Sequence, residues 1–345
     1  RAYATIRNTG FSIVDVSDPA NNSLVRTYTT AGEARGITVA EGYAYVADGV
    51  DYGVAIYGVA SPRAPQLADT YALSGPTNLA VYRDHVLVTE TRDDWALTIV
   101  DARDPYDLRL AGATDWYTPQ DLRVVGDYAV FAAERSGVMI ADISSLGSPQ
   151  VLPPWYVSLP GGYAVGIDVL GGYSFISTSQ SVLNVVDLTW EGNLNKVGSV
   201  ATQGNSSYAA AEVAVSRDYA FVANRQAGLR VVDIRDPKWP AALGNFGVTA
   251  GQAVAVALSG SYAFVADETN GLYVFNVSNP SSLVRYGPFG GAGALDVVVR
   301  GNFAYLARGA SGVQMLDITT PTSPVSVLSF VTPTPATKLA VNREF

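Results

Sequence analysis

Of the 345 residues, 48% are hydrophobic and only 15% charged, a balance that suits a large buried core and excludes a disordered polar chain. The formal net charge of −9 is scattered as single carboxylates in turns, which argues for solubility and against a nucleic-acid partner. Cysteine is absent and histidine occurs once, so disulfides, thiol chemistry and zinc sites built on several His or Cys are excluded.

In chain order, residues 1–6, 11–16 and 24–28 read as the second, third and fourth strands of a unit whose opening strand is missing. Full copies then begin near Arg35, Asn78, Asp121, Gly166, Ala211, Ala255 and Asp296. The clearest is 212–237, with β-prone runs at 213–215, 219–223 and 229–234 and a looser fourth at 242–248. Asp233, four residues before Pro237, can accept turn amides while the proline fixes φ. The same position holds Asp15, Gly58, Asp101, Asp142, Asp187, Asn276 and Asp317, at spacings of 41 to 46 residues, the period of four-stranded propeller blades.

Two further rows keep that register. Five residues upstream stand Gly10, Gly53, Ala96, Gly137, Val182, Gly228, Gly271 and Gly312, where a tight turn favours glycine. At the first hairpin stand Tyr43, His85, Tyr128, Tyr173, Tyr219, Tyr262, Phe303 and Phe345, followed by a small residue in six copies, which reads as packing between blades. The run 339–341 with Phe345 matches the missing opening strand, so the two ends complete one blade. The expectation is an all-β, eight-bladed propeller of four-stranded antiparallel blades, one domain over 1–345, closed by 338–345 joining 1–34.

The segments 11–19 (FSIVDVSDP), 97–105 (LTIVDARDP) and 229–237 (LRVVDIRDP), with 42–48 (GYAYVAD) and 261–267 (SYAFVAD), resemble the LVIVD-repeat family. The resemblance implies a propeller, exported or on the cell surface, and it transfers no catalytic residue. The chain opens directly into a repeat rather than a signal peptide, so it is expected to be either mature or excised from something longer, and to be part of a longer protein or surface assembly.

Chemistry is sparse. His85 occupies the aromatic hairpin position and reads as packing, which removes a serine–histidine–acid triad. There is no nucleophile elbow, phosphate loop or calcium loop, and no apolar run of the roughly 20 residues a membrane-spanning helix needs. No catalytic residue, metal ligand or cofactor is assigned. Asp48 with Asp51, Glu90 with Asp93 and Asp94, and Asp267 with Glu268 are the acidic candidates for a polysaccharide hydrolase, and each reads more simply as a solvated turn residue. Trp190 and Trp239 are expected to shield strand ends on the opposite face.

One place breaks the pattern. The loop 90–95 is charged and the following connector carries Asp115, Trp116 and Tyr117, on the same face of a propeller. The expected function is a non-enzymatic extracellular or cell-surface scaffold that binds a protein or saccharide through Glu90, Arg92, Asp94, Trp95, Trp116 and Tyr117. The alternatives are the carboxylate-dependent hydrolase and a purely architectural domain.

Overall fold

The computed structural model describes residues 2–6, 9–15, 23–49, 52–61, 63–90, 95–115, 119, 121–133, 137–152, 157–189, 195–202, 211–247, 251–332 and 335–341. Within them lie thirty-two strands in eight four-stranded antiparallel sheets. Blade 2 is representative: β4 (Gly36–Ala40), β5 (Tyr43–Ala47), β6 (Val54–Gly58) and β7 (Gln66–Tyr71) pair in sequence order. The first strands of successive blades touch one another all the way round, so the sheets form a closed ring about a channel.

Closure follows the expected route. The blade of β1 (Ala2–Ile6), β2 (Gly10–Asp15) and β3 (Ser23–Thr29) receives as its innermost strand β32 (Ala336–Val341), which pairs with β1 from Ala2↔Val341 to Ile6↔Ala336. The strand starts two residues before the expected 338, while 342–345 lie outside the described residues. We number this blade 1, so blades 3 to 8 follow blade 2 in chain order.

Burial explains the strand composition. Within blade 2, the middle strands are almost wholly buried, whereas outer β7 is largely accessible. Middle strands are covered by a neighbouring blade on each face, so they read as continuous apolar runs such as YAYVA rather than alternating ones. The small row after the first hairpin is fully buried, and it meets large side chains across the blade boundary: Ala44 packs in one cluster with Phe11 and Tyr3 of blade 1, and Ala263 with Phe221 of blade 6.

Both marker rows do what their chemistry suggests. Asp101, Asp142, Asp187, Asp233 and Asp317 each accept a hydrogen bond from the amide two residues on, at 2.7–3.1 Å, and Asn276 does the same for Ser278. Gly53 enters its third strand at φ +79°, where a Cβ would lie 1.9 Å from the Tyr71 carbonyl oxygen. In the copy with Val182, the preceding Ser181 takes the left-handed turn instead, at φ +59°.

Trp239 departs from expectation. It is 78% exposed rather than shielding strand ends, and its turn closes on itself through Trp239 N–H to Asp236 O. Trp190 lies outside the described residues.

Candidate functional site

Arg92, Asp94, Trp116 and Tyr117 lie outside the described residues. Trp95 opens β10 (Trp95–Asp101) and its backbone pairs with Asp115 at the end of β11 (Arg109–Asp115), so positions 95 and 115 lie side by side at one end of blade 3.

Glu90 ends β9 (His85–Glu90) and is only 4% exposed. Its carboxylate accepts from Ser74 N–H at 3.2 Å and from the Thr98 hydroxyl, and it lines a cavity of about 250 Å³ with Tyr71, Leu73 and Leu110. Asp48 stands at the equivalent place in blade 2. It accepts from Gly32 N–H at 3.0 Å and from the Thr30 hydroxyl, and burial pushes its carboxyl up against the pull of those bonds. Asp267 accepts from the amides of Thr269 and Asn270 at 3.0 and 2.7 Å.

The reading of these three carboxylates as solvated turn residues is therefore corrected: Asp48, Glu90 and Asp267 are all buried. At the end of the second strand the side chain lies beneath or beside backbone that needs acceptors, and buried amides must be satisfied. Arg308 plays the complementary part in blade 8, donating to the Ala292 carbonyl at 3.0 Å. Glu268, the expected companion of Asp267, is exposed, and Asp51, Asp93 and Asp94 lie outside the described residues. His85 packs as expected: it is 8% exposed, with Nδ1 2.6 Å from the Arg83 carbonyl oxygen.

A second cavity, of about 570 Å³, adjoins the one at Glu90; the two share Ala72. Asp48, Tyr57, Leu67 and Thr70 line it, and Tyr52 stands at it with about half of its surface accessible. Burial, with the charge of Asp48 adding to it, pushes the Tyr57 hydroxyl up to about 12.

The channel holds a charged group that sequence reasoning missed. Seven residues before the aromatic hairpin position stand Gly36, Asn78, Asp121, Gly166, Glu212, Ala255, Asp296 and Lys338, one from each blade. Their edge of the first strand has no further strand to pair with. Four carboxylates fill that role across blade boundaries: Asp121 accepts from Ile167 N–H at 3.3 Å, Asp168 from Val215 at 2.8 Å, Glu212 from Val256 at 3.1 Å and Asp296 from Leu339 at 2.9 Å.

Arg123 pairs with Asp121 at 2.8 Å, and Lys338 lies 3.9 Å from Asp296. Burial and the carboxylates of Asp296 and Asp121 push the Glu212 carboxyl up to about 7, against the pull of Lys338. Asp296, with Glu212 and Asp121 behind it, holds the Lys338 ammonium above its ordinary value despite the cost of burial. The space they enclose measures about 430 Å³. Among the described residues no group of three or more His, Cys, Asp or Glu side chains is arranged to hold a metal ion.

Eight like blades, a closed ring and a charged channel define a repeat-built β-propeller. Its repeats are LVIVD repeats, matched over residues 2–30, 31–71, 118–152, 161–202, 209–247, 250–289 and 291–332, and the chain belongs to that family. The blade without a match, blade 3, is the one that carries Glu90 and Trp95. A search of curated proteins finds no match.

Among solved structures, the computationally designed protein Ika8 is similar at a TM-score of 0.72 and 11% identity, covering 92% of each chain. Apo AztD from Citrobacter koseri is similar at 0.68 and 13%, covering 99% of this chain and 97% of its own. The periplasmic gluconolactonase PpgL from Pseudomonas aeruginosa is similar at 0.64 and 13%, covering 98% of each. At such identities the likeness concerns the fold alone. Among the described residues no helix is long and apolar enough to cross a membrane.

Proposed function

We propose that the protein is a single-domain, non-enzymatic binding scaffold, placed outside the cell or on its surface, that holds a protein or saccharide partner on the connector face of blades 1 to 3. The observation that carries this reading is the pair of adjoining cavities sharing Ala72, one with half-exposed Tyr52 at it and the other lined by Glu90, Thr98 and Leu110 of blade 3, the blade in which positions 95 and 115 pair. Clefts lined by aromatic rings and a few fixed polar groups suit a saccharide or a protein loop. Glu90, Arg92, Asp94, Trp95, Trp116 and Tyr117 are the proposed contacts. The opposite face repeats one aspartate turn from blade to blade and offers less individuality.

A hydrolase acting on polysaccharide is the second reading, favoured by Glu212, whose carboxyl titrates near 7 as a general acid or base should. The gluconolactonase is an enzyme built on a ring of this shape, and its activity is not carried over to this chain. Affinity electrophoresis in gels containing polysaccharides, with reducing ends measured alongside, separates the readings. Retardation abolished by Tyr52→Ala or Trp95→Ala, without new reducing ends, supports the scaffold. Reducing ends that vanish in Glu212→Gln overturn it in favour of the hydrolase. Absence of retardation with every polysaccharide removes the saccharide and leaves the protein partner, which cross-linking from positions 52 and 95 would then have to capture.

A further inference from the structure

The channel chamber is separate from the connector-face clefts, and its charges do not balance among themselves. Asp121 has Arg123 as a close partner, and Asp168 accepts from the amides of both Val169 and Val215. Asp296 accepts from Val297 and Leu339. Two groups are left over. Among the described residues the Lys338 ammonium makes no hydrogen bond, its nearest carboxylate oxygen being 3.9 Å away and its side chain about half accessible, so its three donors are open to a ligand in the channel. Glu212 accepts one bond among the described residues, through Oε2 from Val256, which leaves Oε1 open to the chamber.

Both groups line the same space of about 430 Å³, a size in the range of small-molecule sites. A simple anion placed on Lys338 would stand among Glu212, Asp296 and Asp121, while a simple cation placed on Glu212 would be drawn by Asp296 and Asp121 but would leave Lys338 without a counter-charge of its own. Either one meets one group and leaves the other unmet. A molecule with both charges satisfies both.

We infer that the channel chamber is a binding site for a small zwitterion, its carboxylate on Lys338 and its ammonium on Glu212. Arg123, Asp121 and Asp296 are the other charged groups lining the chamber; Asp121 and Asp296 are fixed by bonds to the next blade, and Arg123 is fixed by Asp121 beside it on the same strand. The site stands whether or not the connector face binds a partner.

Isothermal titration calorimetry tests this with glycine, β-alanine and 4-aminobutyrate, which space the two charges differently, against propylamine, propionate and calcium chloride. At least one zwitterion should bind, and both single-charge organic probes should bind about tenfold more weakly or worse. Glu212→Gln keeps a carbonyl oxygen for Val256 and so preserves the fold, yet it should weaken zwitterion binding about tenfold, as should Lys338→Met; circular dichroism checks that both are folded. Affinity of the unaltered protein should fall as pH is lowered through about 7 and stay level in Glu212→Gln. Absence of heat with every zwitterion overturns the inference. So do equal affinities for single-charge probes, variants that bind normally, or calcium as the tightest ligand.

Discussion

Removing residues 336–345 should open the ring. The deletion strips β32 from β1 at five paired positions, and each ladder bond contributes about 0.5–1.5 kcal/mol net of rehydration, together about 3–7 kcal/mol. Net values apply because the channel lets water reach the freed edge. Leu339, only 8% exposed beside Ala4, Tyr305 and Met315, adds about 2 kcal/mol of lost burial. The total of about 5–9 kcal/mol compares with the roughly 5–15 kcal/mol of a whole folded domain, so the shortened chain should be marginal at room temperature. It also bares β1 as an edge that can pair with another copy. Urea melts should show a much lower midpoint, and light scattering should show association. A shortened chain with an unchanged midpoint that stays monomeric would refute the argument that closure by β32 holds the ring.

Other outcomes follow from single residues. Hydrogen bonds from Arg103 hold the Asp101 carboxyl at about 2, below its unfolded value, so its contribution is present above about pH 4 and is lost as pH falls towards 2; Asp101→Asn should flatten the acid limb of a plot of Tm against pH. Glu212 has the opposite sign, since its raised value means that the folded protein binds this proton more tightly: its contribution is full below about 4.5 and is lost as pH rises through about 7. Glu212→Gln should therefore remove a downward slope of Tm between those pH values. Gly53→Ala combines a left-handed backbone with a Cβ 1.9 Å from the Tyr71 carbonyl oxygen and should cost at least about 3 kcal/mol in a urea melt. Gly126→Ala, at φ +55° with open space around it, should cost only about 1–2 kcal/mol.

The blades were legible because their turns demand particular chemistry at a fixed interval. An aspartate that accepts the amide two residues on, and a glycine whose Cβ would strike the next strand, leave marks that recur every forty-odd residues. The channel group left no such mark. Its row runs Gly36, Asn78, Asp121, Gly166, Glu212, Ala255, Asp296 and Lys338, with little shared chemistry from copy to copy, so periodicity carries no signal there. Only closure of the ring brings Lys338 beside Asp296. Asp48 and Glu90 were misread for a related reason: the backbone that buries them belongs to the connector about sixteen residues upstream, which a local reading treats as a separate loop.

The carboxylate-to-amide bonds across the inner strands are unevenly distributed. They join blade 4 to 5, 5 to 6 and 6 to 7 in an unbroken run, and blade 8 to 1 at the closure. Among the described residues, the inner seams from blade 1 through to blade 4 have none, and neither has the seam between blades 7 and 8. The ring is thus built like a clasped bracelet with one stiff arc, and its longest unclasped stretch runs through blades 1 to 4. The clefts at Tyr52 and Glu90 lie in that unclasped stretch. On the proposed scaffold reading, a partner at these clefts would spread the blades without breaking a single inner clasp, and this side of the circle is where the ring would adapt its shape.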